Sequence, residues 1–391
     1  MPFHLSISIF DLIKMKHWNK ILLILLLTLT FFRCKDRYDP PVISAPNSFL
    51  VVEGFINAGD GPTSFHLTRT AKLDDTSHIR PESSAIVTVE NEAGTEVSHL
   101  SDKGNGEYSS DQLNINPAEK YLVRIRTNEG KEYVSDLLVA RSTPKIDSVY
   151  WRYDNDGLKI YANTHDPSNN SRYYKWNYSE TWEFHSAFIS SLIYENGRLI
   201  PRPVPSLTYT CWQSLASTSI IINNTAGLSG DVVNLQPINF IPRGSDKVSV
   251  KYSILVTQQT ITKEAYQYLL KMKKNSEELG TIFDPQPSEL KGNIHCVTVP
   301  NELVVGYLYS SSVKQKRIFV SNIELPDWNY FSGCTSIFVP PDSLEFYFGP
   351  KVFWPIEYVN VPGRGDGVSG AVRGCIDCTM FGTNIKPSFW P

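Results

Sequence analysis

The chain is short of several things at once. It has no excess of either charge, with 37 basic against 40 acidic residues and a net charge of −3. No basic cluster stands out, so the electrostatic footprint of a nucleic-acid binder is missing. Stretches with the charged, Ala-rich character of helices are scarce, which argues against a helical fold. No apolar run reaches the ~20 residues that a membrane-spanning helix needs. No nucleophile elbow, HExxH, P-loop or dinucleotide fingerprint occurs. The eight histidines are scattered, with no pair at i, i+4. Carboxylate pairs such as Asp74-Asp75 and Glu277-Glu278 read as solvated loop and helix residues rather than acid–base partners. On these grounds no catalytic residue, metal ligand or cofactor is expected.

Cysteine is also scarce, at six residues, and the first of them is informative. Cys34 closes an apolar run, Ile21–Phe32, of about a dozen residues, which fits the ~7–15 of a signal h-region. Lys16, His17 and Lys20 form a basic start directly after Met15. Residues 1–33 therefore read as a signal peptide whose true start is Met15. Cys34 is the expected lipidation site, and residues 34–47, with Pro40, Pro41 and Pro46, are a tether. Several acyl chains would make such a membrane anchor stable. Phe32 and Arg33 stand where a lipobox usually has small residues. The alternatives are an uncleaved signal anchor or cleavage by the ordinary signal peptidase.

The other five cysteines, Cys211, Cys296, Cys334, Cys375 and Cys378, are disulfide candidates in an exported chain. Five is odd, so one is left over or bonds to another molecule. Cys375-Ile-Asp-Cys378 has redox spacing, but it lies between Gly374 and a Gly382-Thr-Asn384 turn. A redox motif should open a helix within a βαβ pattern, so a structural disulfide role is the preferred reading.

What the chain does have is aromatic residues, at 12 %, and short strand patterns. Residues 48–142 hold about seven, among them Phe49–Ile56, Ser64–Thr70 and Ala85–Glu90, with an Asn91–Thr95 turn leading into Glu96–Leu100. In Lys120–Arg126, Tyr121, Val123 and Ile125 share one face. An immunoglobulin-like β-sandwich is the expected fold here. Residues 143–391 read as a larger β-rich domain. Its strands include Ile146–Arg152, Leu158–Thr164, Lys247–Gln258 and Ser343–Phe348. It has one prominent helix near 263–279, capped by Thr262 and ended by Gly280. The C-terminal ~40 residues look loop-like, with frequent Pro and Gly. The chain is expected to be mainly β.

The clearest alternation runs from Arg172 to Phe184. Tyr174, Trp176, Tyr178, Trp182 and Phe184 point one way, interrupted by Glu180. Such a stripe can be a stacking platform for sugar rings; the plainer reading is the core face of a strand. Tyr153-Asp-Asn-Asp-Gly157 shares part of a calcium loop, but the further oxygen ligands are missing and a turn is the better reading.

An ordered set of segments resembles a known family: Leu50–Ile56, Phe65–Thr70, Ile146–Tyr150, Tyr173–Trp176, Cys211-Trp212, Val250–Gln259, Gly292–Cys296, Gly306–Tyr309 and Cys375–Trp390. The chain is similar to the Bacteroidota exported lipoproteins that carry domain of unknown function 4249. The resemblance implies an outer-membrane lipoprotein, often paired with a TonB-dependent receptor, and supplies no catalytic residues. The expected protein is thus a non-enzymatic accessory in nutrient binding or uptake, anchored through its N-terminal lipid. The alternatives are a surface adhesion or carbohydrate-binding module, and an exported hydrolase or thiol-redox protein.

Overall fold

Side-chain alternation decides where the strands form. In Lys120–Arg126, Tyr121, Val123 and Ile125 are buried while the residues between them are not, as a period of two requires. The computed structural model describes residues 48–71, 80–203, 208–277 and 290–391. The signal, Cys34, the tether, Asp74-Asp75, Glu278 and the expected helix end at Gly280 lie outside the described residues. The described chain is mainly β.

Nine strands precede residue 142: β1 Leu50–Asn57, β2 Pro62–Arg69, β3 Arg80–Pro81, β4 Ile86–Asn91, β5 Glu96–Gly104, β6 Glu107–Gln112, β7 Lys120–Arg126, β8 Glu132–Ser135 and β9 Leu138–Arg141. Next come β10 Ile146–Asp154, β11 Gly157–Asp166, β12 Tyr173–His185, β13 Leu192–Glu195, β14 Arg198–Pro201, β15 Thr210–Ala216, β16 Ile221–Asn224, β17 Asp231–Pro242 and β18 Lys251–Thr260. After helix α1, Lys263–Ser276, follow β19 Ile294–Cys296, β20 Val304–Val305, β21 Ser310–Ser311, β22 Val313–Ser321, β23 Ile337–Val339, β24 Phe353–Val361 and β25 Gly365–Val372.

The first sheet runs β7-β4-β5-β6-β2-β1-β21-β9. It returns to β7 through Lys120↔Val139 and Tyr121↔Leu138, so the ring is barrel-like. This differs from the immunoglobulin-like sandwich expected over 48–142. The closing strand, β21, comes from far outside that range and pairs parallel with both β1 and β9. A parallel pairing has no local turn to announce it. Strands β19 and β20 join the same sheet, which therefore draws on chain from both sides of residue 142. Its core includes Leu50, Phe65, Val87, Tyr108, Tyr121 and Leu308, each buried side chain worth about 1.5–3 kcal/mol.

Two antiparallel sheets follow, β10-β11-β17 and β15-β12-β18-β22, with β16 also on β12. They enclose one core: Leu158, Ile160 and Ile241 from the first, and Tyr174, Trp176, Tyr252 and Val320 from the second. Farther along, Ser343–Phe348 is not a strand. A short helix spans Leu344–Phe348, preceded by Pro341 at the start of a 3-10 turn, where its fixed φ suits a helix entry. The C-terminal stretch is also more ordered than its composition suggests, because β24 and β25 form a hairpin.

Helix α1 starts where its cap predicts, with Thr262 Oγ1 accepting from the Ala265 amide at 3.1 Å. It buries Ala265, Tyr268 and Leu269, and packs with Phe55 of β1, Tyr173 of β12 and Tyr309. The helix thereby sets one wall of a cleft.

Candidate functional site

Strand β12 has two faces. Its even-numbered aromatics enter the core, so its odd-numbered residues, Lys175 and Asn177 among them, face the other way. In the antiparallel pair with β18, Lys175 stands directly opposite Gln259, which puts both side chains on the same face. The Lys175 ammonium lies 5.6 Å from the centre of the Tyr309 ring, within cation–π range. Tyr309 stacks on Phe55 at 5.6 Å and donates its hydroxyl to Gln259 Oε1 at 3.0 Å. Gln259 is only 3 % exposed, and its Nε2 has no partner among the described residues.

Lys175, Asn177 and Tyr309 line a cleft of about 460 Å³, walled by β1, β12, the 217–220 loop, α1 and residues 305–309. Leu269, Met272 and Ile220 supply apolar wall, and Tyr268 and Tyr307 supply aromatic wall. Burial raises the pKa of the Tyr268 phenol; the Gly306 amide opposes this and the Glu53 carboxylate adds to it. Burial likewise raises Tyr307. Both phenols therefore stay protonated at neutral pH and able to donate. Glu53 sits at the rim with its side chain 72 % exposed, 3.9 Å from His66.

Gly306 allows the wall to come close. Its φ is +139°, and a Cβ there would lie 2.2 Å from the Val52 carbonyl oxygen. Only glycine fits such an approach without a shift of backbone. The result is a recess with one ammonium, several hydrogen-bond donors and apolar sides. Its chemistry suits holding an organic anion.

The residues singled out in the sequence fall elsewhere. The proposed stacking platform is core: Tyr174 and Trp176 are 0 % exposed and Trp182 is 4 %. Tyr178 is half-buried and donates to Asn239 Oδ1 at 2.9 Å. Tyr174, Trp176 and Trp182, packed between two sheets, present no face to a sugar, so the platform reading is corrected for these three. Glu180 shares their face and is 2 % exposed. It survives burial because Lys247 pairs with it, Tyr252 donates to it at 2.9 Å and Asn239 at 3.1 Å. Asp154 lies in a hairpin turn, accepting from the Asp156 amide at 3.1 Å and from Lys159 at 2.6 Å.

The cysteines pair as Cys211–Cys378 and Cys334–Cys375. Cys296 is the one left over, and it is buried. Cys375 and Cys378 each bond to a distant partner rather than to each other.

Sequence reasoning missed Lys175, Gln259 and Tyr309. A signal was present: Lys175 lies on the polar face of the same strand whose aromatic face drew attention. Tyr173–Trp176 and Gly306–Tyr309, which carry the family likeness, both reach the cleft.

No functionally curated protein matches the chain. One solved structure is described as "Complete structure of manganese lipoxygenase of Gaeumannomyces graminis and partial structure of zonadhesin of Komagataella pastoris". It is 14 % identical over 56 % of this chain and 90 % of that one, with a TM-score of 0.16, a likeness too slight to carry any argument. The family described as a domain of unknown function (DUF4249) matches residues 35–317. The chain therefore belongs to that family.

Proposed function

We propose that the protein is a non-enzymatic lipoprotein of the outer membrane, anchored by acyl chains on Cys34. In this reading it binds a small nutrient in the cleft beside Lys175 and serves as accessory to a TonB-dependent receptor. The observation that carries the reading is the pair of disulfides, Cys211–Cys378 and Cys334–Cys375, in a chain whose apolar leader ends at Cys34. Disulfides persist in oxidising compartments such as the periplasm or the cell surface. The leader and its cysteine supply the route there and the membrane anchor. The family likeness supports the outer membrane and the receptor partnership.

The test is capture of the tagged protein from membranes in mild detergent, with mass spectrometry of what comes with it. The expected result is enrichment of a TonB-dependent outer-membrane receptor. Enrichment of none would remove the accessory role.

A further inference from the structure

The cleft holds a cation, Lys175, that makes no ion pair among the described residues. Lys175 is half-buried, and its ammonium lies over the face of Tyr309. Removing an ammonium from water is costly unless something replaces the lost solvation, and one aromatic face replaces part of it. Tyr268, which lines the same cleft, is buried, and its hydroxyl has no hydrogen-bond partner among the described residues. A buried donor left unmade costs about 1–3 kcal/mol. Two groups of one cleft, one a full charge and one an unused donor, are each satisfied by the same kind of partner, an oxyanion. Leu269 and Met272 of α1, with Tyr307, supply apolar surface for the rest of such a molecule. The volume, about 460 Å³, is in the range of small-molecule sites, roughly 300–1,000 Å³.

We propose that this cleft is a binding site for small organic anions, with a carboxylate-type head at Lys175 and the Tyr268 hydroxyl and an apolar or aromatic body against Leu269, Met272 and Tyr307. The assignment deepens the reading of the protein as a binding lipoprotein and rests on it. Glu53, at the solvent-exposed rim, disfavours a second negative charge at that end of the ligand, so the preferred ligand carries its charge at one end only.

The probe for the test is 4-benzoylbenzoate, an aromatic carboxylate that crosslinks to nearby C–H bonds under light. The full chain, in mild detergent, is irradiated with it and the labelled peptides are mapped by mass spectrometry. The label is expected on the peptides bearing Leu269–Met272 or Tyr307. An excess of 4-phenylbutyrate, which cannot crosslink, should suppress it. Lys175→Gln should cut this labelling at least tenfold, and the neutral amide of the probe should label weakly and equally in both proteins. Ser219→Trp narrows the cleft from an exposed position and should lower labelling with the fold intact. Labelling confined to other peptides, or retained in either variant, overturns the assignment. Receptor capture and membrane fractionation of the same variants keep the two readings apart: if only the cleft assignment fails, both remain as in the parent protein.

Discussion

Cys211 and Cys378 are bonded to one another across 167 residues of chain, while Cys375, three residues before Cys378, is bonded to Cys334. The first bond ties β15, and through it β12, to the C-terminal segment. Trp212 repeats that link through a bridge to Thr383. Alkylation of the denatured but unreduced protein should modify Cys296 and none of these four. Cys378→Ser should lower stability by about 2–5 kcal/mol and expose a new thiol at Cys211. A peptide in which Cys375 is crosslinked to Cys378 would contradict the pairing.

Glu180 and Lys247 make an unequal pair. The Glu180 side chain is 2 % exposed and that of Lys247 is 26 %, so each is lost at a different cost. Lys247→Met leaves a buried carboxylate without its cation and should cost about 3–5 kcal/mol. Glu180→Gln leaves a lysine that water can still reach, and should cost less. Urea melts of the two variants check the order. Equal losses would show that the Lys247 ammonium is not what offsets the burial of Glu180.

Gly306→Ala should destabilise the protein by about 1–3 kcal/mol, because strain at a positive φ adds to a clash with the Val52 carbonyl. Thermal melting measures this. A variant as stable as the parent would mean that β1 and the 305–309 segment are not so closely apposed.

Asp166 gives a pH dependence of known sign. Burial alone would raise its pKa, but donation from the Ser168 hydroxyl and amide and from the Asn170 and Ser171 amides outweighs this and holds it at about 2. A carboxyl depressed on folding adds stability above its unfolded pKa of ~3.9, and that stability is lost as pH falls through the folded value. Asp166→Ala should therefore be less stable than the parent at pH 7, by about 1 kcal/mol. The gap should narrow from about pH 4 and close near pH 2. Denaturant melts across that range check it; a gap independent of pH would contradict it.

Much of the fold was legible because its causes are local. Lys120–Arg126 and Tyr173–His185 alternate, and Thr262 caps α1, all within a few residues of sequence. Strand β17 was not legible. Its pairing with β11 shifts register between Ile160 and Tyr161 and again between Ala162 and Thr164, so its hydrophobic period is broken. Barrel closure by Ser310-Ser311 was hidden because a parallel pairing has no local turn to announce it and their partners lie some 170 to 250 residues away in sequence. The cleft was hidden for a related reason. Lys175, Gln259 and Tyr309 meet only after β12 and β18 pair and β1 accepts β20 and β21. The stripe on β12 shows the opposite error: a pattern read correctly as one face, with its chemistry decided by the second sheet that covers it.

The proposed role requires an exported domain held at the outer membrane through Cys34. The most direct measurement is the mass of the N-terminal peptide of the protein purified from membranes. The expected peptide begins at Cys34 and carries acyl chains. An unmodified Cys34, or a peptide that retains the Ile21–Phe32 run, would contradict it.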